Sequence, residues 1–207
     1  DGMWNFTDTI PFIINNWVTG PNNYIKIYTT QTARHNGKWN NSAYRLESQG
    51  ADGGIYYAVI GINANYLKID GLQIQLDICC GNTSQGITVS NSVSTTNSEI
   101  IISNNIIRTL SASLGDYNYG IRMMSGHAVK VFNNIVYGFN KNTDFGIAIF
   151  GNNDNNMNLY AYNNTVVNSY NGIFNNAFLP IVYFKNNIVQ GATLAYYSSN
   201  WGNGTGY

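Results

Sequence analysis

The chain is 207 residues long, 44% hydrophobic and only 10% charged, with ten basic residues set against ten acidic ones. That length and apolar content suffice for one sizeable core, and the zero net charge removes the electrostatic footprint by which a domain recruits nucleic acid or an anionic membrane surface. Asn, at 35 residues, takes the place that charge holds in cytosolic enzymes, about a quarter of whose residues are charged.

Together with the Ser, Thr and Tyr content, this substitution predicts an extracellular setting or a cell or virion surface. No leader with a charged start and an apolar centre opens the chain, and no apolar run reaches the roughly 18 residues of a membrane span, so neither a retained signal peptide nor a transmembrane segment is expected.

Residues 1–23 are expected to form an N-terminal cap. Within them Thr9 to Val18 reads as a short element, helical with Pro11 in its first turn, that presents Phe12, Ile13 and Trp17. A stack of strands needs such a cover because open strand edges pair promiscuously. Tyr24 to Tyr28, Y-I-K-I-Y, alternates and is the first clear strand, opening a repeat region over 24–198. Gln31 to Leu46 interrupts it as a loop insertion that concentrates Arg34, His35, Lys38 and Arg45. Such a loop is either a small basic patch for an acidic glycan or a solvated segment that packs Trp39 and Tyr44 on the first coil.

Cys79 and Cys80 are adjacent, so a disulfide between them would close a strained ring, and in a strand their side chains face opposite ways. A metal site would need more imidazoles than His35 and His127 supply, and none is expected. One buried thiol and one near a turn, or a bond between chains, are the readings left.

The remainder is a repeat. I-I-I-S-N-N-I-I at Ile100 to Ile107 returns as V-K-V-F-N-N-I-V at Val129 to Val136, L-Y-A-Y-N-N-T-V at Leu159 to Val166 and V-Y-F-K-N-N-I-V at Val182 to Val189, at spacings of 29, 30 and 23 residues. A second phrase interleaves with it, at Gly86-Ile87, Gly120-Ile121, Gly146-Ile147 and Gly172-Ile173. Periods of this length indicate solenoids, propellers or arrays. The elements inside each unit are short, β-branched or aromatic, and bounded by Asn and Gly, so they are strands. Each unit has room for about three strands, too few for a propeller blade of four.

If the copies stack in register, Asn105, Asn134, Asn164 and Asn187 lie one above another, and stacked amides bond donor to acceptor along the stacking axis. The second Asn of each pair is expected at the bend between strands, where Asn tolerates left-handed backbone angles. One copy upstream the phrase reads Ile69-Asp70-Gly71-Leu72, with Leu72 in the ladder position, so the ladder should start at Asn105.

From about Gly53 to Tyr197 the chain resembles the right-handed parallel β-helix family of the pectate-lyase-like superfamily, in which a Gly-Ile strand and an I-x-N-N-x-I bend recur once per coil. The predicted fold is one all-β domain of about six coils with an internal Asn ladder and a C-terminal tail at 199–207. That fold hosts lyases, hydrolases, tailspikes, adhesins and structural proteins. In its enzymes, the resemblance implies, substrate lies along the outer face of one sheet, where carboxylates bind calcium or act as acid and base.

On the Gly-Ile strands, period two points Ile87, Val89, Ile121, Met123, Ile147, Ile149 and Ile173 inward and Thr88, Ser90, Arg122, Met124, Ala148, Phe150, Phe174 and Asn176 outward. No carboxylate is in the outward set. Glycosidic hydrolysis needs paired carboxyls, and proton abstraction from a uronate needs a cation site with a Lys or Arg base, for which only Arg122 qualifies. Asp116, Asp144, Asp154 and His127 flank these strands as candidates for catalysis or calcium binding, though each Asp also suits a turn. Met124, Phe150 and Phe174 would form an apolar stripe at about 4.8 Å spacing, usable as an interface, as a sugar platform, or buried beneath a loop such as Asn175 to Pro180. Thr88 has no Thr partners at Arg122, Ala148 and Phe174, which disfavours an ice-binding ladder.

The expected function is therefore a non-catalytic structural or adhesive surface module, self-assembling and glycan-binding, ahead of a polysaccharide lyase or glycoside hydrolase; no cofactor is expected, and calcium only for a lyase. Thr193 to Ser198 reads as one more strand, and Trp201 to Tyr207 offers nothing amphipathic to cover it. Homo-oligomerisation head to tail into a filament is the expected assembly.

Overall fold

A computed structural model describes residues 6–48, 58–76, 83–90, 92–110, 117–140, 146–151, 157–176 and 181–198. Three strands recur per turn of chain. The first coil is β1 (Phe12–Ile14), β2 (Ile25–Tyr28) and β3 (Leu46–Ser48), and the second β4 (Ala58–Ile62), β5 (Tyr66–Asp70) and β6 (Gln73–Leu76). The third is β7 (Thr83–Val89), β8 (Glu99–Ser103) and β9 (Ile106–Thr109), and the fourth β10 (Tyr117–Met123), β11 (Ala128–Phe132) and β12 (Ile135–Tyr137). The fifth is β13 (Gly146–Gly151), β14 (Asn158–Tyr162) and β15 (Thr165–Val167), and the sixth β16 (Asn171–Asn175), β17 (Ile181–Lys185) and β18 (Ile188–Gln190), after which β19 (Leu194–Ser198) opens a seventh.

Like strands pair only with like. A seven-stranded sheet runs β1-β4-β7-β10-β13-β16-β19, and two six-stranded sheets run β2 to β17 and β3 to β18 in steps of three, every pairing parallel. This is a right-handed parallel β-helix of six coils plus one strand, about 29 Å long at roughly 4.8 Å per coil.

Inside, each column of the core repeats an aliphatic side chain. Leu67, Ile100, Val129 and Leu159 stack in the second sheet, and Ile74, Ile107, Val136 and Val166 in the third, all fully buried. Ile60, Ile87, Ile121, Ile149 and Ile173 do the same in the first. β-branched chains suit these columns because a parallel sheet places identical side chains at strand spacing, where their stiff χ1 packs without loss of freedom.

Two expectations are corrected here. Thr9 to Val18 is no helical cap: Phe12–Ile14 is a strand in register with Ile60–Ile62, and Trp17 and Val18, at 68% and 93% exposure, cover nothing. The hydrogen bonds that a helical turn would have made are taken instead by the open edge of β4. The second concerns the Gly-Ile phrase. Ile121 pairs with Ile149, not Ile147, so the phrase at Gly146 sits two residues out of step and Ala148-Ile149 fills its place. Ala148 is consequently buried in the core rather than outward.

The Asn pair divides its labour. The first member carries the left-handed backbone, with φ of 57° at Asn104, 55° at Asn133, 55° at Asn163 and 54° at Asn186. Gly71 (φ 81°) stands in this position one coil earlier. The second member turns inward. Asn105 Nδ2 donates to Asn134 Oδ1 at 3.0 Å, Asn134 Nδ2 to Asn164 Oδ1 at 3.1 Å, and Asn164 Nδ2 to Asn187 Oδ1 at 3.0 Å. Each oxygen also accepts the backbone N–H of the preceding Asn, and the ladder begins where Leu72 N–H donates to Asn105 Oδ1 at 2.9 Å. Left-handed φ therefore belongs to the first Asn, not to the ladder residue as its position at the bend suggests.

Candidate functional site

The loop 31–46 is tied down over three coils, although much of it stays exposed. Arg34 Nη2 lies 2.8 Å from Asp70 Oδ2, His35 Nε2 donates to the Asn104 carbonyl at 2.9 Å, and Asn40 N–H donates to the buried Gln73 Oε1 at 2.6 Å. The Arg108 guanidinium stacks 3.5 Å from the Trp39 ring centroid while its Nε donates to Gln75. Tyr44 packs against the core and donates to Asp8, and Arg45 pairs with Glu47 at 3.0 Å. Arg34, His35 and Arg45 hold the loop down, which supports the packing reading of this segment.

This anchoring titrates. Burial pushes the Asp70 carboxyl up, but the Asn104 hydrogen bond, the Arg34 guanidinium and Lys26 together outweigh it and hold it below 3.8. Burial lowers the His35 imidazole below 6.5, with Arg34 adding to the effect, against the Asn104 carbonyl and Asp70. Both groups have depressed folded values, so the stability each contributes is complete above its ordinary value and is lost as pH falls through the folded one. Between pH 7 and 5 the loss comes from His35, and below about pH 4 from Asp70. The urea midpoint should thus fall from pH 7 to 5 in the native chain and fall less in His35→Gln; equal falls in both would contradict the assignment.

The outer face of the seven-stranded sheet carries a stacked row. Register sets Thr88, Arg122, Phe150, Phe174 and Tyr197 side by side on successive strands. Tyr119 stacks on Phe150 at 4.9 Å and 9°, Phe174 tilts against Phe150 at 5.9 Å, and Tyr197 stacks on Phe174 at 4.4 Å. Arg122 lies over the Tyr119 ring at 4.9 Å. Burial raises the Tyr119 hydroxyl above 10, the Arg122 charge opposing it. Met124 does not belong to the stripe: Arg122 occupies the place beside Phe150, because the strand register is set by Ile121 and Ile149. Phe150 is 5% exposed and Thr88 fully buried, so this row is closed against solvent at its centre.

His127 sits in the turn before β11, exposed, with Nδ1 3.2 Å from the Thr95 carbonyl and its N–H on Ser98 Oγ at 2.8 Å. Asp116, Asp144, Asp154, Cys79, Cys80 and Trp201 to Tyr207 lie outside the described residues. Among the described residues no three His, Cys, Asp or Glu side chains converge as a metal site would require. All four described carboxylates are engaged within the fold: Asp8 by Tyr44, Glu47 by Arg45, Asp70 by Arg34 and Asn104, and Glu99 by Lys130.

The open site is on the second sheet. Tyr160, Tyr162, Asn163, Tyr183, Lys185 and Asn186 line a surface groove of about 480 Å³, within the range of small-ligand clefts. β14 and β17 build it: their inward residues Leu159, Ala161 and Val182 are core, and period two turns Tyr160 and Tyr162, then Tyr183 and Lys185, outward in matched register. Tyr160 stacks on Tyr183 at 5.3 Å and 12°, and Phe132 on Tyr162 at 5.0 Å and 3°. Rings that stack coil upon coil keep their faces for one another. Ring edges are the positive part of the quadrupole, and Tyr hydroxyls, Asn amides and an ammonium add donors. Among the described residues Lys185 enters no ion pair and no carboxylate lines the groove.

The sequence held a signal for this groove in L-Y-A-Y and V-Y-F-K, where aromatics alternate with core residues at the same phase in successive copies. No family model matches the chain, and no curated protein or solved structure matches it either. Among the described residues no helix is long and apolar enough to cross a membrane.

Proposed function

We propose that this chain is a non-catalytic, glycan-binding module of an extracellular or surface structure, in which the β-helix serves as a rigid rod that presents the Tyr160–Tyr183 groove. The observation that carries the reading is a groove lined by three tyrosines, two asparagines and a lysine, with no carboxylate among the described residues, on a face whose rows repeat at strand spacing. A ligand rich in acceptors fits such a surface, and Lys185 favours one bearing uronate or sulfate groups. The row Thr88, Arg122, Phe150, Phe174 and Tyr197 on the outer face of the first sheet holds no carboxylate, which favours binding over hydrolysis, since acid and base work needs carboxyls free to meet substrate.

Binding to an acidic oligosaccharide should weaken about tenfold in Lys185→Ala, the loss of one charged hydrogen bond, while neutral oligosaccharides should be affected less. Tyr160→Ala and Tyr183→Ala should weaken both. Calorimetry checks this, with circular dichroism to confirm an intact fold; unchanged affinity in all three variants contradicts the placement.

A lyase or hydrolase of the pectate-lyase-like superfamily is the alternative. The observation that favours it is Arg122, which stands between Thr88 and Phe150 on the outer face of the first sheet. Self-association is a further part of the proposal, favoured by Phe6, Ile10, Trp17 and Val18, which stand 68–93% exposed near the first coil. An apolar set of that kind marks a contact surface. Light scattering should show a mass above the monomer that falls in Trp17→Ser with Val18→Ser; a monomer at all concentrations contradicts it.

A further inference from the structure

We propose that Asn36-Gly37 is a self-modification site, at which the Gly37 backbone nitrogen closes on the Asn36 side-chain carbonyl with His35 as the base. Three features meet there. The His35 ring is oriented by its bond to the Asn104 carbonyl at 2.9 Å, which requires the proton on Nε2 and leaves a lone pair on Nδ1. Gly37 N–H donates to that Nδ1 at 3.2 Å, so the nitrogen that must lose its proton to become a nucleophile already points it at a base. The peptide is accessible: Asn36 and Gly37 are exposed, and beyond its two chain neighbours nothing stands within 4 Å of where a Gly37 Cβ would be, so no packed neighbour holds this peptide.

The flanking residues hold this arrangement. Arg34 is fixed to Asp70 on one side and Asn40 to Gln73 on the other, so the five residues between them form a short arc with both ends pinned. Burial keeps the imidazole neutral at neutral pH, as a base requires.

The chemistry balances with water as the only co-reactant. Gly37 N bonds to Asn36 Cγ as its proton passes to His35 Nδ1. The tetrahedral centre then breaks its bond to the side-chain nitrogen, which takes the proton back from His35 and leaves as ammonia, giving a succinimide. Water opens the ring at either carbonyl and yields aspartate or isoaspartate at position 36. The new carboxylate lies one residue from His35 and raises its proton affinity back toward the ordinary value, which makes the loop less sensitive to acid between pH 7 and 5 once the reaction has run.

The test ages the purified full-length chain at neutral pH and follows the peptide containing Asn36 by mass spectrometry with separation of the isoaspartyl form. The native chain should convert at least about tenfold faster than the same chain in urea, the low end of what a positioned base supplies, and His35→Gln should fall to the urea rate. The pH profile gives a readout independent of any variant. Arg34 and Asp70 are the charged groups whose fields reach His35, and the native rate should level off above the His35 titration, whereas attack driven by hydroxide alone keeps rising with pH. Native conversion no faster than in urea, or a native rate that rises without a plateau, overturns the proposal.

Discussion

Replacing Asn134 with Ala should lower stability by about 3–6 kcal/mol, a large part of the 5–15 kcal/mol typical of a domain. The Asn134 oxygen accepts both the backbone N–H and the Nδ2 of Asn105 at 3.0 Å, and its own Nδ2 donates to the Ile102 carbonyl at 2.9 Å. Truncation strands two donors and an acceptor where Asn105 and Asn134 are both 0% exposed. Each stranded group left without a partner costs about 1–3 kcal/mol. The neighbouring Asn133→Gly should stay within about 0.5 kcal/mol, since Asn133 is exposed and Gly accepts its φ of 55°. Urea midpoints of the two variants separate the ladder residue from the bend residue; equal losses would contradict the division of labour within the pair.

Gly120→Val is expected to destabilise by about 3 kcal/mol, the upper end of overpacking costs. A Cβ at Gly120 would meet the Ala148 carbonyl at 2.5 Å, Val136 Cγ1 at 2.5 Å and Phe139 Cε2 at 3.2 Å. The carbonyl belongs to the next strand and cannot retreat without breaking the β10–β13 register. Gly120→Ala should be intermediate, because the column has a precedent for a methyl in Ala148, which is itself fully buried. Thermal unfolding orders the three chains, and a Val variant as stable as the parent would contradict the close approach.

Much of this architecture was legible because a solenoid writes its geometry into the period of its sequence. The inward Ile and Val positions, the start of the ladder at Asn105 and the coil number all follow from spacing alone. Spacing failed where two registers of equal parity compete: Gly146-Ile147 matches the phrase as text, yet packing selects Ala148-Ile149, and that slip of two moved Met124 into a row that Arg122 occupies. Composition failed at the start of the chain, where Pro11 suggested a helix but the β4 edge offered Phe12–Ile14 a parallel partner. The groove escaped for a different reason. Its residues come from copies already explained by their Asn pairs, and an outward Tyr reads as a site only when the register sets Tyr160 beside Tyr183 and Tyr162 beside Lys185. Loop 31–46 shows the converse, since its cations suggested a patch until their partners Asp70, Asn104 and Glu47 were in place.

The central claim, binding without turnover, is tested most directly by long incubation of the intact chain with acidic polysaccharides of defined length, with and without calcium. NMR shifts of the Tyr160 and Tyr183 rings would be followed in the same tube as chain length and unsaturated ends. The account predicts saturable shifts at both tyrosines and a polysaccharide of unchanged length. New reducing or unsaturated ends that appear with the native chain and vanish in Arg122→Ala would contradict it, and would move the working face to the seven-stranded sheet.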